Sequence, residues 1–444
     1  MKNAATLLTL LLIAIITGCR DHNQEPQPEN VLALQVGYPQ FDQGEYVKYD
    51  KFGNIYVAGY YSTNSTNGNP TISIAKYNPA GELQWLQQAR ASNNASIGGM
   101  AVDDNGNVYI TGSFRGVITF GTTVLNTLSG GGGGDDVFTL KFNTQGEVLW
   151  AHNTGGPSTS SIHGEIGRGI AVDKTGNVYV TGTFEKTGIF GSASFTASGE
   201  TDVFVLKYTS SGDLQWAKSF GEANNDQAND IAVDTHGNTY ITGFFMAPGN
   251  NHDVFITKYD SHGTLQWKQK VGLSGYDAAS GIAVDGAGNV FITGYFNDMI
   301  AFGGITLTST GSGDIFIAKY DTHGAFQWAK QAGGTQSDFG HDIAIAPSGH
   351  VYIIGDFQGT ATFGNAILTS SGSTDVAIAK YTNNGDFQWV QKLGGSGADR
   401  GRSIAVDESG HMYITGSFQD SVLIGTTTLT SVGHSDIFIA RYKQ

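Results

Sequence analysis

Residues 314–357 read DIFIAKYDTHGAFQWAKQAGGTQSDFGHDIAIAPSGHVYIIGDF, and this stretch decides the fold. It holds four short apolar runs, IFIAKY, AFQWAK, DIAIA and HVYIIGDF, separated by turns of Asp, Gly, His and Ser. Runs this short, rich in Ile, Val, Tyr and Phe, are strands, and the gaps between them are hairpin-sized. Near-copies fill the chain beyond residue 30, so a repeat array outweighs the two or three domains that length alone would suggest.

Three signatures recur in step. A run ending in Lys-Tyr or its equivalent occupies 71–77, 136–142, 202–208, 253–259, 314–320, 375–381 and 436–442. A tryptophan follows at Trp85, Trp150, Trp216, Trp267, Trp328 and Trp389. A run beginning Gly-Asn-x-Tyr is anchored at Asn54, Asn107, Asn177, Asn238 and Asn289, with His350 and His411 in the last two copies. The absent seventh tryptophan is informative. Gly37 precedes Asn54 by 17 residues, as Gly221 precedes Asn238, which puts Leu32 in the tryptophan position. Run 31–36 is then an outer strand without a blade, and run 436–442 is a third strand without a fourth. The fold expected is all-β: one seven-bladed β-propeller over residues 31–444, with four antiparallel strands per blade. Strand 31–36 pairing with strand 436–442 closes the ring and spares it the exposed ends of a solenoid.

Composition bounds the function. The 444 residues include 63 Gly and carry a formal charge of −15, which speaks against nucleic acid as a partner because phosphate binding needs a basic face. Residues 1–18 read as a signal peptide, with Lys2 before an apolar run too short to span a bilayer comfortably. Ile16-Thr17-Gly18-Cys19 resembles the bacterial lipobox, which implies lipidation of Cys19, the single cysteine of the chain. Residues 19–30 then form the lipidated cysteine and a polar, proline-containing tether. The address expected is the bacterial cell envelope, as an outer-membrane lipoprotein facing either the periplasm or the surface.

The unit GxDxFxAKYxxxGxxxWxxxxGGxxxDxxxxIAVDxxGNxYxTG resembles the SBBP β-propeller repeat, and the likeness runs from residue 31 to 444. That resemblance implies a propeller of bacterial envelope proteins and implies little about activity. YDTHGAFQW is also similar to the tryptophan-docking turn of quinoprotein propellers, although its Gly stands one residue nearer the Asp and those rings have eight blades.

Positions filled alike in every copy have a shared structural task. The glycine inside the second strand, at Gly59, Gly112, Gly182, Gly243, Gly294, Gly355 and Gly416, marks a bulge or close backbone approach. The aromatic two residues later is core, and the tryptophans are wedges between blades. Lys76, Lys141, Lys207, Lys258, Lys319 and Lys380 need partners inside an apolar strand, either ion pairs with Asp103, Asp173, Asp234, Asp285 and Asp407 or backbone bonds. Ala346 takes the Asp position in the sixth blade.

Function is expected on the opposite face, which carries the loops between fourth and first strands and between second and third. Asp226, Asp277, Asp338 and Asp399 recur there, either as loop caps or as part of a carboxylate ring for Ca²⁺, although no D-x-D-x-D-G loop is present. Copies two, three, five, six and seven insert an extra segment near Phe120, Phe190, Phe302, Phe363 and Ile424, expected to project as hairpins that wall this face. The residue after the strand glycine varies, and Tyr60, Phe244, Tyr295 and Asp356 are therefore candidate ligand contacts. The chain has no H-E-x-x-H, no G-x-S-x-G and no phosphate-cradling loop, so no catalytic residues are assigned. The reading is a non-enzymatic, lipid-anchored binding module, monomeric and without a cofactor, that takes a protein or polysaccharide on its loop face. The alternatives are a periplasmic outer-membrane assembly scaffold and a polysaccharide hydrolase or lyase.

Overall fold

The computed structural model describes residues 29–61, 71–128, 134–156, 164–247, 249 and 251–443. The leader, Cys19 and the tether up to residue 28 lie outside the described residues.

Seven four-stranded antiparallel sheets stand around a common axis. In the fifth the strands are Ala278–Val284, Val290–Phe296, Asp314–Tyr320 and Phe326–Gly334, from axis to rim. The seventh blade is composite. Glu29–Val36 pairs antiparallel with Asp436–Lys443, and Leu32 faces Arg441 as Trp85 faces Lys76 in the first blade. The ring therefore closes as expected, with the closing strand beginning at Glu29 rather than at residue 31.

Each blade has an apolar neighbour on each side. This explains why middle strands such as Val351–Phe357 and Asp375–Tyr381 are buried at every position instead of alternating. Seven apolar clusters result, one in each seam between neighbouring blades. The aromatic two residues after the strand glycine, from Tyr61 to Phe418, is core in all seven.

A second device ties five of the seven seams near the rim. The Trp267 indole N–H and the Lys258 ammonium both donate to the Thr322 carbonyl of the next blade, at 3.1 Å each. The ammonium also sits 5.1 Å over the Tyr240 ring of its own blade. The same pair of donors meets Thr144, Ser210, Ser261 and Asn383. The lysines thus make backbone bonds, and Asp103, Asp173, Asp234 and Asp407 instead accept from tyrosine hydroxyls, as Asp234 does from Tyr240 at 3.0 Å. Behind the accepting carbonyl, Gly324 has φ +80° and its bare Cα lies against the Trp267 ring; a Cβ would stand 2.8 Å from Cδ2. At the closing seam Leu32 and Leu34 take the tryptophan's place against Gly81. Gly324→Ala is expected to cost about 2 kcal/mol from the positive φ and the displaced ring, measured as a lower urea midpoint.

The inserted hairpins are present in the five blades expected, but they do not wall the face. Val117–Phe120 and Thr360–Phe363 pair with the outer strands of the preceding blades, at Ala89–Ala91 and Ala332–Gly334. Phe120, Phe302 and Phe363 are buried in the seam clusters. Hydrophobic burial pulls each hairpin down along the rim, where it widens the seam contact.

Candidate functional site

The strand glycines explain how the site is built. A Cβ on Gly59, Gly112, Gly182, Gly243, Gly294, Gly355 or Gly416 would meet a carbonyl of the innermost strand at 1.9–2.1 Å. That carbonyl lies two residues before the extra residue of a β-bulge, and every innermost strand has one. The extra residues are Glu45, Gly98, Arg168, Asn229, Ser280, His341 and Arg402. Each lies near the start of its strand, towards the loop face, and all seven line an axial cavity of about 470 Å³. The constant glycine and the variable bulge residue are two sides of one backbone feature.

Polar bonds fix this ring from blade to blade. Asp342 accepts from Ile404 N–H at 2.9 Å and from the Ser403 hydroxyl at 2.8 Å. Asp230 accepts from Ile282 N–H at 3.0 Å, and Asn229 donates to the Ala279 carbonyl at 2.8 Å. Burial, with Asp342 nearby, pushes the Asp230 carboxyl up to about 7. Glu45 approaches Arg402 Nε at 3.9 Å; burial raises its carboxyl while Arg402, His341 and Arg400 pull it back down. Arg168 donates to Gln227 at 3.2 Å. Among the described residues, the Nε atoms of Arg168 and Arg402 are buried without a hydrogen-bond partner.

The four sequence-derived contact candidates fall into different surroundings. Tyr60 belongs to the axial site: it lines a side lobe of about 270 Å³ and accepts the Ile97 N–H at 2.9 Å. Asp356 is buried and pairs with His341 Nε2, so it orients a bulge residue. Tyr295 packs edge-on at 5.1 Å against Phe339, which stacks at 6.3 Å on His341. Phe244 is stacked on His252 at 4.3 Å. The bulge residues themselves escaped the sequence reading, although each stands 14 positions before its strand glycine and could have been found by that offset.

Asp226, Asp277, Asp338 and Asp399 do not form an open ring on the face; all four are fully buried in the seams. Asp338 accepts N–H bonds from Gly334 at 2.7 Å and Gln358 at 3.1 Å, and Asp399 is held likewise by Gly395 and Gln419. Each has an acidic neighbour from the preceding blade. A Cβ on Gly333 would stand 2.8 Å from both Asp314 Cγ and Asp338 Oδ2, so the two carboxyl groups flank one glycine. The same oxygen, Oδ1, is without a partner among the described residues in Asp136, Asp202, Asp314, Asp375 and Asp436. One seam departs from this pattern, between the first and second blades, where Thr71, Arg90 and Ala95 stand in the places of Asp, Gly and Asp. The three have changed together because the glycine is needed only where a carboxyl group occupies the Cβ position. Burial pushes the second acid up, to about 6 in Asp226 and Asp399, about 7 in Asp338 and about 8 in Asp277. Two acids per seam fall short of the six to eight oxygens Ca²⁺ prefers, so a cation here would have to draw on backbone carbonyls and water.

Fold and site define the class: a seven-bladed β-propeller with an axial polar mouth, the architecture of a binding or scaffold module. The chain carries the SBBP β-propeller repeat, which matches residues 84–113, 163–183, 215–243, 266–296 and 388–417. It is 24% identical to an uncharacterized WD repeat-containing protein, L264, of Acanthamoeba polyphaga mimivirus, over 92% of this chain and 38% of that protein. It is likewise 24% identical to the regulatory protein FlaEY of Caulobacter vibrioides, over 81% of this chain and 41% of that protein. The chain thus spans about two-fifths of either relative. Among solved structures, puromycin hydrolase is similar with a TM-score of 0.48 at 9% identity, covering 89% of this chain and 54% of that one. The polysaccharide lyase Uly1 is similar with a TM-score of 0.47 at 11% identity, covering 95% and 93%.

Proposed function

We propose that this chain is a lipid-anchored envelope propeller that binds a protein or polysaccharide at its axial mouth and performs no chemistry there. One observation carries the reading: the bulge residue, which varies from blade to blade, lines the axial cavity in all seven blades. A rigid ring whose variable side chains converge on one opening is suited to recognition.

The position of Glu29 agrees with an anchor. Glu29 pairs with Lys443 at the end of the seventh blade where its third strand finishes, whereas Val36 pairs with Ile437 at the loop end. A tether leaving from Glu29 therefore departs from the face opposite the mouth, and a membrane-held propeller would present the mouth outward. Cys19→Ser is expected to abolish incorporation of labelled palmitate and release the protein from membranes; label retained by the variant, or absent from the wild type, would refute lipidation of Cys19. Protease shaving of whole cells, with antibody labelling beside it, separates a surface module from a periplasmic one. Digestion is the surface outcome, and protection until the outer membrane is opened is the periplasmic one.

A further inference from the structure

We propose that the side lobe of the mouth is a subsite for one sugar ring bearing a carboxylate, a uronate unit of an acidic polysaccharide; this rests on the mouth being the binding site. Of the seven bulge residues, Gly98 alone has no side chain, and a Cβ there would stand 1.9 Å from the Gly167 carbonyl. Its bare backbone lets the second and third blades approach closely, and beside that contact a lobe of about 270 Å³, lined by Glu45, Tyr60 and Arg168 among others, adjoins the axial cavity.

The groups turned into the lobe suit an acceptor. The Tyr60 hydroxyl already accepts the Ile97 N–H, which leaves its own proton to donate. Burial and Glu45 push that phenol up to about 12, so the proton stays on. The Arg168 guanidinium, held by Gln227 through one Nη, keeps a buried Nε–H without a partner among the described residues. An oxyanion bridging Tyr60 and Arg168 would satisfy that orphaned donor with a charge-assisted bond.

Charge points the same way. The chain has a formal charge of −15 and seven arginines, yet Arg168 and Arg402 line the cavity and Arg400 opens the same inner strand as Arg402. Glu45, the acidic residue at the lobe, has Arg402 as its counter-ion. Tyr46 and Tyr60 give the lobe two amphipathic ring walls, which favour a flat hydroxylated ring over the aliphatic arm of an acidic peptide.

The test is calorimetric titration of the whole propeller with methyl glucuronide and methyl glucoside, then with alginate, dextran and poly-glutamate. Glucuronide is expected to bind at least tenfold more tightly than glucoside, and alginate more tightly than poly-glutamate or dextran. Arg168→Gln should weaken glucuronide binding at least tenfold, and Tyr60→Phe about fivefold, with melting temperatures showing that both variants fold. Equal binding of the two glycosides, or indifference to both substitutions, would overturn the proposal. Preference for poly-glutamate would overturn it in favour of an acidic peptide. If a neutral polymer binds and Ser280→Trp blocks it, the mouth stands as the binding site and only the uronate assignment falls. Polymer binding that Ser280→Trp leaves intact would remove both.

Discussion

Deleting residues 29–36 is expected to lower the melting temperature by more than about 10 °C, whereas deleting residues 20–28 should move it by less than about 1 °C. The first deletion strips the outer strand from the seventh blade. It removes Leu32, Leu34 and Val36 from the cluster they share with the first blade and uncovers the hydrogen-bonding edge of Asp436–Lys443. Partial burial of three such side chains with their ladder is worth on the order of 5 kcal/mol. In a ring that loss reaches both neighbours, since Gly81 of the first blade rests on Leu32 and Leu34. Thermal scans of the two truncations decide it. Coincident melting would mean that the composite blade does not hold the ring closed.

The second large effect is on pH. Asp136, Asp226 and Asp399 are pushed up to about 6, Asp338 to about 7, and Asp277 and Glu165 to about 8, in every case chiefly by burial. A group whose folded pKa lies above its unfolded value holds a proton that the unfolded chain has released. Its stabilisation is complete below about pH 4 and is lost as pH rises through the folded value. Several such groups together should make the propeller melt roughly 10 °C lower at pH 8.5 than at pH 5.5 in chelated buffer. The turn aspartates act oppositely. Burial raises Asp173, but bonds from Thr175, Asn177 and Tyr179 carry it below its ordinary value, and stability from such groups is lost as pH falls. The optimum is thus expected near pH 5. Asp338→Asn, which mimics the protonated acid beside Asp314, should flatten the slope by melting closer to the wild type at pH 8.5 than at pH 5.5. A variant equally weakened at both pH values would refute the linkage. Millimolar calcium is expected to leave the pH 8.5 value unchanged because backbone N–H groups already occupy Asp338 and Asp399; a large rise would instead place a cation in the seams.

The ring was legible because its determinants repeat. Seven strands ending in Lys-Tyr or its equivalent, six tryptophans and Leu32 in the missing place imply the composite blade without any coordinates. The seam function of the tryptophans was legible for the same reason, and so was the need for glycine at Gly59 and its equivalents. The site was legible only in part. Tyr60 could be singled out because it varies beside a constant glycine. Arg168, His341 and Arg402 were missed because a β-bulge shifts register by one residue and alternation then no longer tells which side chain faces the axis; only their constant offset from the strand glycine marks them. The hairpins misled because sequence shows an insertion but not the direction in which it folds; Phe120 and Phe363 draw theirs into the seam.

Because Glu29 and Lys443 face each other across neighbouring strands, the chain is topologically a circle with one cut. A short Asp-x-x-Gly turn joining them would supply the connection that the other six blades already have. The circle could then be reopened at the outer turn of another blade, such as that holding Gly324. Circular permutants of this kind would move the point of attachment around the rim while leaving the axial residues in place. They would give a series of otherwise matching rings, each held to a surface by a different blade.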